Sequence, residues 1–326
     1  MRCGVTLQGV YEPGEWIELV QWIEELGYDH LWITDSSLHA GEVYVYSTLA
    51  LQATSRLTVG TAVTNPLTRH PAITANAFRT LQQLAPGRVV CGVGVGDRPL
   101  ADLGLPMAKI DTLERSIDVM RRLWRGETVV DEDVGPWRLV SAHLRSPVEE
   151  PPVYVSASMP RALELTGRTA DGLILLVGLF PEGLAFAREH VARGRASGGR
   201  PSFDETLFLY GSIADDEEAA LESARTIAAW FPKTAPHYAR LAGMSDELID
   251  AVNAAYSGGE FQHAAEAARL IPDELVRKIA FCGTPRQAGE KVEWLRESGV
   301  DSVSIFPLGA DRPGTIERFA KLAVGR

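Results

Sequence analysis

The sequence predicts an α/β fold, a (β/α)8 TIM barrel in which eight parallel strands and their covering helices enclose one core. Three observations predict it. Short β-rich runs alternate with helical patterns from one end of the chain to the other, which is how a parallel sheet with helical crossovers reads. The runs number eight, enough to close a barrel. At 326 residues and 45% hydrophobic content, the chain suits a single barrel core, and residues 1–326 are read as one domain.

The strand runs are Cys3–Gln8, His30–Thr34, Leu57–Val63, Arg88–Gly94, Pro152–Ala157, Gly172–Leu176, Thr206–Ser212 and Asp301–Phe306. Helical periodicity fills Glu15–Leu26, Ala72–Leu84, Thr112–Trp124 and Pro285–Ser298. Two segments break the rhythm. Glu127–Glu150 is polar and carries Gly135-Pro136-Trp137, which predicts a loop or short hairpin over the barrel. Asp215–Ala280 is helix-rich and far longer than one crossover needs, so a helical insertion is expected between strands 7 and 8. It opens on Asp215-Asp216-Glu217-Glu218, acids that suit a helix N-terminus, and includes Trp230, Phe231, Tyr238, Tyr256 and Phe261. Two roles stay open for it: a lid that builds the pocket, or outer-layer helices and a dimer surface.

A formal net charge of −11 argues against a nucleic-acid partner, which needs a basic face. The longest apolar stretch, Leu173–Phe180, is too short for a membrane span, and the N-terminus lacks a signal-type apolar run. Cys3, Cys91 and Cys282 lie in or beside strands with no CxxC spacing, as buried free thiols of a cytoplasmic protein would. The seven histidines show no HxxxH, HxH or facial-triad spacing, so no metal is expected.

In a parallel barrel the strand C-termini converge on the mouth, so the residues just past each strand carry most weight. The second strand runs into Asp35-Ser36: a carboxylate there can move a proton or cap the next element. After the third, Thr64-Asn65-Pro66-Leu67-Thr68-Arg69-His70-Pro71 fixes a rigid loop. The fourth ends Gly92-Val93-Gly94-Val95-Gly96-Asp97, alternate glycines on which a flat ligand could lie against backbone. This is GxGxG leading into a proline-containing loop, not the dinucleotide GxGxxG opening a helix. The fifth opens through Ser158-Met159-Pro160-Arg161 into a helix whose first amides, with Arg161, can hold an anion; a plain serine cap is the alternative. There is no GxSxG elbow and no Cys/His pairing. A phosphate-sized site without nucleophile or metal implies that a cofactor does the hard chemistry.

These blocks, together with Trp32-Ile33-Thr34-Asp35, Pro152-Val153-Tyr154, Ala170-Asp171-Gly172 and Gly283-Thr284-Pro285, resemble in order and spacing the luciferase-like superfamily of flavin and deazaflavin barrels. Within it the chain is most similar to the coenzyme F420-dependent methylenetetrahydromethanopterin reductases, over nearly its full length. The resemblance implies an oxidoreductase with F420 in the mouth, passing a hydride to or from a small-molecule substrate with a C=N, C=C or C=O bond. It implies a cis peptide at Ala62–Val63 behind the ring. Asp35, Ser36, Asn65, Val95 and Gly96 match ring- and ribityl-contacting positions; Ser158, Met159, Arg161 and Ala162 match the cofactor-phosphate loop; Asp97 matches a carboxylate that handles protons. Asp35 and Asp97 are thus the candidate catalytic residues, and a homodimer is the implied assembly. Two departures matter. Most relatives have Asp-His where this chain has Asp35-Ser36, with His39 three residues on; and the substrate lysine of the sugar-phosphate dehydrogenases aligns with Leu179, in an apolar run. An FMN-dependent monooxygenase and a non-catalytic flavin-binding paralogue remain alternatives.

Overall fold

The structure, a computed structural model, describes residues 1–256 and 264–324, so Phe261 lies outside the described residues. Eight strands form a closed parallel barrel: β1 (Arg2–Leu7), β2 (His30–Ile33), β3 (Thr58–Thr61), β4 (Val89–Val93), then, past a separate hairpin of β5 (Val129–Val134) and β6 (Trp137–Ala142), β7 (Val153–Ser156), β8 (Gly172–Leu175), β9 (Asp204–Ile213) and, past a short β10 (Phe281–Gly283), β11 (Ser302–Pro307). The order round the barrel is β1-β2-β3-β4-β7-β8-β9-β11, and β11 returns to pair with β1, Arg2 opposite Ser302. In a ring of eight, strands four places apart face each other. β3 therefore lies across from β9, and β4 across from β11.

The centre of the barrel is filled by side chains rather than open. His30 stacks on Trp32 at 6.1 Å, and the Trp32 ring meets Tyr154 at 5.7 Å although their strands are not neighbours. Glycines make that room: a Cβ on Gly60 would lie 2.5 Å from the Trp32 ring, and one on Gly172 2.7 Å from Tyr154. Towards β11 the filling becomes polar, with Thr206 and Ser302 hydroxyls 2.6 Å apart and Thr6 and Ser304 hydroxyls 2.7 Å apart. Each of these hydroxyls has a hydrogen-bond partner inside the wall.

The helices begin where their sequences dictate. α1 (Pro13–Glu25) and α2 (Val43–Ala53) follow β1 and β2. α3 (Pro71–Leu84) starts on a proline, with His70 Nδ1 accepting from the Ala72 amide at 3.1 Å. Directly after β4 comes α4 (Arg98–Asp102), so the proline-containing segment there is helical, not a loop; Pro99 sits in its first turn, where a missing N–H costs nothing. α5 (Ile110–Trp124) leads to the β5–β6 hairpin, which Trp137 ties to the loop after β3 by donating to the Pro66 carbonyl at 2.7 Å. α6 (Pro160–Thr169) and α7 (Pro181–Ala196) flank β8.

The insertion contains α8 (Glu217–Thr234), α9 (Pro236–Ala242), α10 (Asp246–Ala255), α11 (Ala265–Ala268) and α12 (Asp273–Ile279). Asp216 caps α8 by accepting from the Glu218 amide at 3.0 Å, as its acidic run predicts. Phe231, Tyr238 and Tyr256 are core of the insertion, whereas Trp230 is only half-buried. The segment ends at β10, a strand absent from the sequence reading, which pairs with β9 over Gly211–Ile213. α13 (Pro285–Glu297), opened by a capping box of Thr284 and Gln287, sends back Lys291. Its Nζ donates to the carbonyls of Arg277, Ala280 and Cys282 at 3.2, 3.1 and 2.9 Å, stapling the end of α12 to β10. α14 (Arg312–Ala323) closes the described chain. No helix among the described residues is long and apolar enough to cross a membrane.

Candidate active site at the mouth of the barrel

Asp35 follows β2 and is buried at 6% exposure, with both oxygens engaged. Oδ2 accepts from the Thr64 hydroxyl at 2.8 Å and from Arg69 Nη1 at 2.5 Å; Oδ1 accepts from Ser37 at 3.3 Å. Arg69 also bonds Glu42 at 2.7 Å and lies 5.0 Å above the Tyr44 ring. Burial works against its charge, but the bond to Asp35 outweighs this and holds the guanidinium above its ordinary pKa. Asp35 thus binds the loop after β3 to the end of β2. It caps no helix, since the N-cap of α2 is Glu42. Ser36, half-buried, donates to the Thr34 hydroxyl at 3.3 Å.

The Ala62–Val63 peptide is cis. Both residues are half-buried beside the mouth, while Thr64 and Asn65 are buried. Asn65 Oδ1 accepts from the amides of Leu67 and Thr68 at 3.0 and 2.9 Å, which leaves only its NH2 for a ligand. The loop is stitched to β4 by the Thr64 amide on the Gly92 carbonyl at 3.0 Å and the Gly94 amide on the Thr64 carbonyl at 2.9 Å.

That stitching corrects the idea of a ligand lying on three bare glycines. A Cβ on Gly92 would come within 1.7 Å of the Thr61 carbonyl oxygen, and one on Gly94 within 2.9 Å of Val63. Gly96 has φ +76° and would drive a Cβ into Leu100 at 2.4 Å. These glycines let the β3 loop and α4 pack onto β4. Val95 is half-buried, and its carbonyl accepts from the Ala108 amide at 2.8 Å. Asp97 is exposed at the start of α4, where its carbonyl accepts from the Leu100 amide at 3.0 Å. Nearby, His39 Nε2 and Asp102 Oδ2 lie 2.8 Å apart and join the loop after β2 to the end of α4.

α6 begins without a side-chain cap. Its N-cap is Met159, exposed and extended, not Ser158, which is half-buried. With Pro160 first, the amides of Arg161 and Ala162 have no intrahelical acceptor, and the exposed Arg161 adds positive charge.

The opposite wall was not legible from motifs. On β9 and β11 the interior face continues from Thr206 and Ser302 to Phe208, Tyr210 and Phe306, by the two-residue repeat of a strand. Tyr210 lies 5.1 Å from Phe306 and 6.1 Å from Trp230 of the insertion. Only the alternation of Thr206, Phe208 and Tyr210 hinted at it. Leu179 sits elsewhere, on a cavity of about 340 Å³ with Arg277, Lys291 and Trp294. Its surroundings are therefore not wholly hydrocarbon, yet Arg277 pairs with Glu217 and the Lys291 ammonium is taken by its three carbonyls.

The chain belongs to the luciferase-like monooxygenase family, whose model matches residues 3–302, from β1 to the start of β11. Among its relatives is the 5,10-methylenetetrahydromethanopterin reductase of Archaeoglobus fulgidus, 29% identical over 95% of this chain and 94% of that protein. An F420-dependent glucose-6-phosphate dehydrogenase of Kineococcus radiotolerans is 33% identical over 66% of this chain and 68% of its own. In fold the chain is similar to the coenzyme F420-dependent tetrahydromethanopterin reductase of Methanopyrus kandleri: TM-score 0.85 at 23% identity, covering 99% of this chain and 98% of that one.

Proposed function

We propose that the protein is an F420-dependent oxidoreductase that passes a hydride between the deazaflavin and a small organic substrate with a C=N, C=C or C=O bond. The relatives support F420 as the cofactor. The observation that carries the reading in the molecule is the uncapped start of α6, with Arg161 beside it, because F420 has a phosphate in its tail and needs such a place for it. Ser158, Met159, Arg161 and Ala162 would hold that phosphate. Ala62 and Val63 would back the ring, with Ser36, Asn65, Val95 and Gly96 along its edge and ribityl chain.

Bound there, F420 supplies the hydride chemistry. The residues of the chain orient and protonate. Asp35, tied to Thr64 and Arg69, holds the ledge of the β3 loop in place and so acts by positioning. Asp97, exposed until a ligand covers the mouth, holds or takes the proton that balances hydride transfer. Neither residue depends on a histidine at position 36. Equilibrium dialysis against F420 and FMN tests the reading. Preferential retention of F420 is expected; preferential retention of FMN would assign the protein to oxygen activation, and F420 bound without turnover of any electrophile would make it a carrier. The working form on this reading is a cytoplasmic homodimer, with sedimentation as its measure.

A further inference from the structure

We infer that the substrate presents a flat, uncharged, conjugated ring, which packs against Tyr210 and Trp230. The inference rests on the cofactor reading above for what lies on the other side of the ring, but the wall itself is independent of it. Because β3 lies across the barrel from β9, the Ala62–Val63 ledge and the aromatic wall face one another over the mouth. A cofactor ring backed by the ledge turns its open face to the wall.

The two sides differ in chemistry. Asp35, Arg69 and Glu42, with Asp97 and Arg161, come from β2, β3, β4 and β7 and the segments that follow them. Among the described residues, four rings lie together on the far side. Phe208 and Phe306, 8% and 6% exposed and 6.3 Å apart, form the backing. Tyr210 and Trp230 stand before them half-buried, their planes 71° apart, an edge-to-face pair. A charged substrate ring would lose its hydration there with no counter-charge among these four side chains. A saturated ring would gain contact area alone, whereas an aromatic or enone ring also gains ring–ring attraction, a few-fold to about tenfold in affinity. Trp230 comes from the insertion, so the insertion reaches the pocket and selects its substrate.

The test compares 2-naphthylmethanol with its saturated counterpart, decahydro-2-naphthylmethanol, by titration calorimetry on protein with and without oxidised F420. The naphthyl probe should bind about five- to tenfold more tightly than the saturated one to the wild type. That preference should vanish in Trp230→Leu, which fills space without a ring, and persist in Trp230→Phe. Equal binding of the two probes to the wild type, or a preference unchanged in Trp230→Leu, would overturn the inference. Dialysis of F420 against the same variants separates it from the cofactor reading. Affinity for F420 should be unchanged in Trp230→Leu; a loss of about tenfold would mean that the wall holds the cofactor, not the substrate, and would also overturn it. If the wild type retains no F420, the cofactor reading falls, and the probe preference in cofactor-free protein decides the wall by itself. Should Trp230→Leu fail to fold, Tyr210→Leu replaces it with the same expected loss.

Discussion

One candidate carboxylate is buried and the other exposed, and substitution should separate them. Asp97 is exposed at the start of α4, and Asp97→Asn keeps its shape while removing charge and proton site. Turnover should fall by about a hundredfold with the melting temperature nearly unchanged; unaltered turnover would move the proton role to the His39–Asp102 pair or to water. Asp35 is bonded on both oxygens, and Asp35→Ala leaves Arg69 with Glu42 as its remaining carboxylate. Denaturant titration should show a loss of roughly 2 kcal/mol, below the usual cost of orphaning a buried charge because that partner remains. A fall in turnover without this loss would make Asp35 a proton donor instead of a strut. Single residues such as Asp35, Asn65 and Asp97 were legible in the sequence because strand ends announce themselves. What they bond to was not, since Arg69 is thirty-four positions from Asp35 and only the folded loop brings them together.

At the scale of elements, all eight barrel strands lie where their β-rich runs predict, within two residues at each end; β9 starts two residues early, and β3 stops two residues short of Val63 because its last residues turn out into the ledge. The polar segment is the β5–β6 hairpin, anchored by Trp137 beside α5. Among the elements the pattern did not mark, α4 and β10 have five and three residues, too few for a period to show. The glycines of β4 were legible as a signal but misread in purpose. Gly92→Ala tests the corrected reading, since its Cβ would strike a backbone oxygen that cannot swing aside. The expected cost is at least about 4 kcal/mol, read as insoluble or unfolded protein. Gly14→Ala, in the first turn of α1 with nothing within 4 Å of the added methyl, should stay within about 1 kcal/mol of the wild type. If both variants fold alike, β3 and β4 are not held at this distance.

For the molecule as a whole, one buried base should shape the response to acid. Burial in the barrel centre, with Arg2 nearby, pushes the His30 imidazole down to about 4 from its ordinary value of 6.5. The unfolded chain then binds the proton more readily than the folded one, so this contribution is complete above about pH 6.5 and drains away as pH falls towards 4. It amounts to something on the order of 3 kcal/mol. His30→Gln should flatten the slope of stability against pH across that window, and an unchanged slope would place acid sensitivity in the carboxylates. A different property of the whole follows from β10. The chain leaves the sheet at the end of β9 and re-enters it on the neighbouring strand, Ile213 beside Gly283, about 4.8 Å away. The ends of residues 214–280 are thereby pinned together whatever lies between them, and closing a longer or shorter excursion changes the free energy only slowly with its length. The excursion is a cassette: it can be lengthened, trimmed or transplanted from a relative while the barrel keeps its shape.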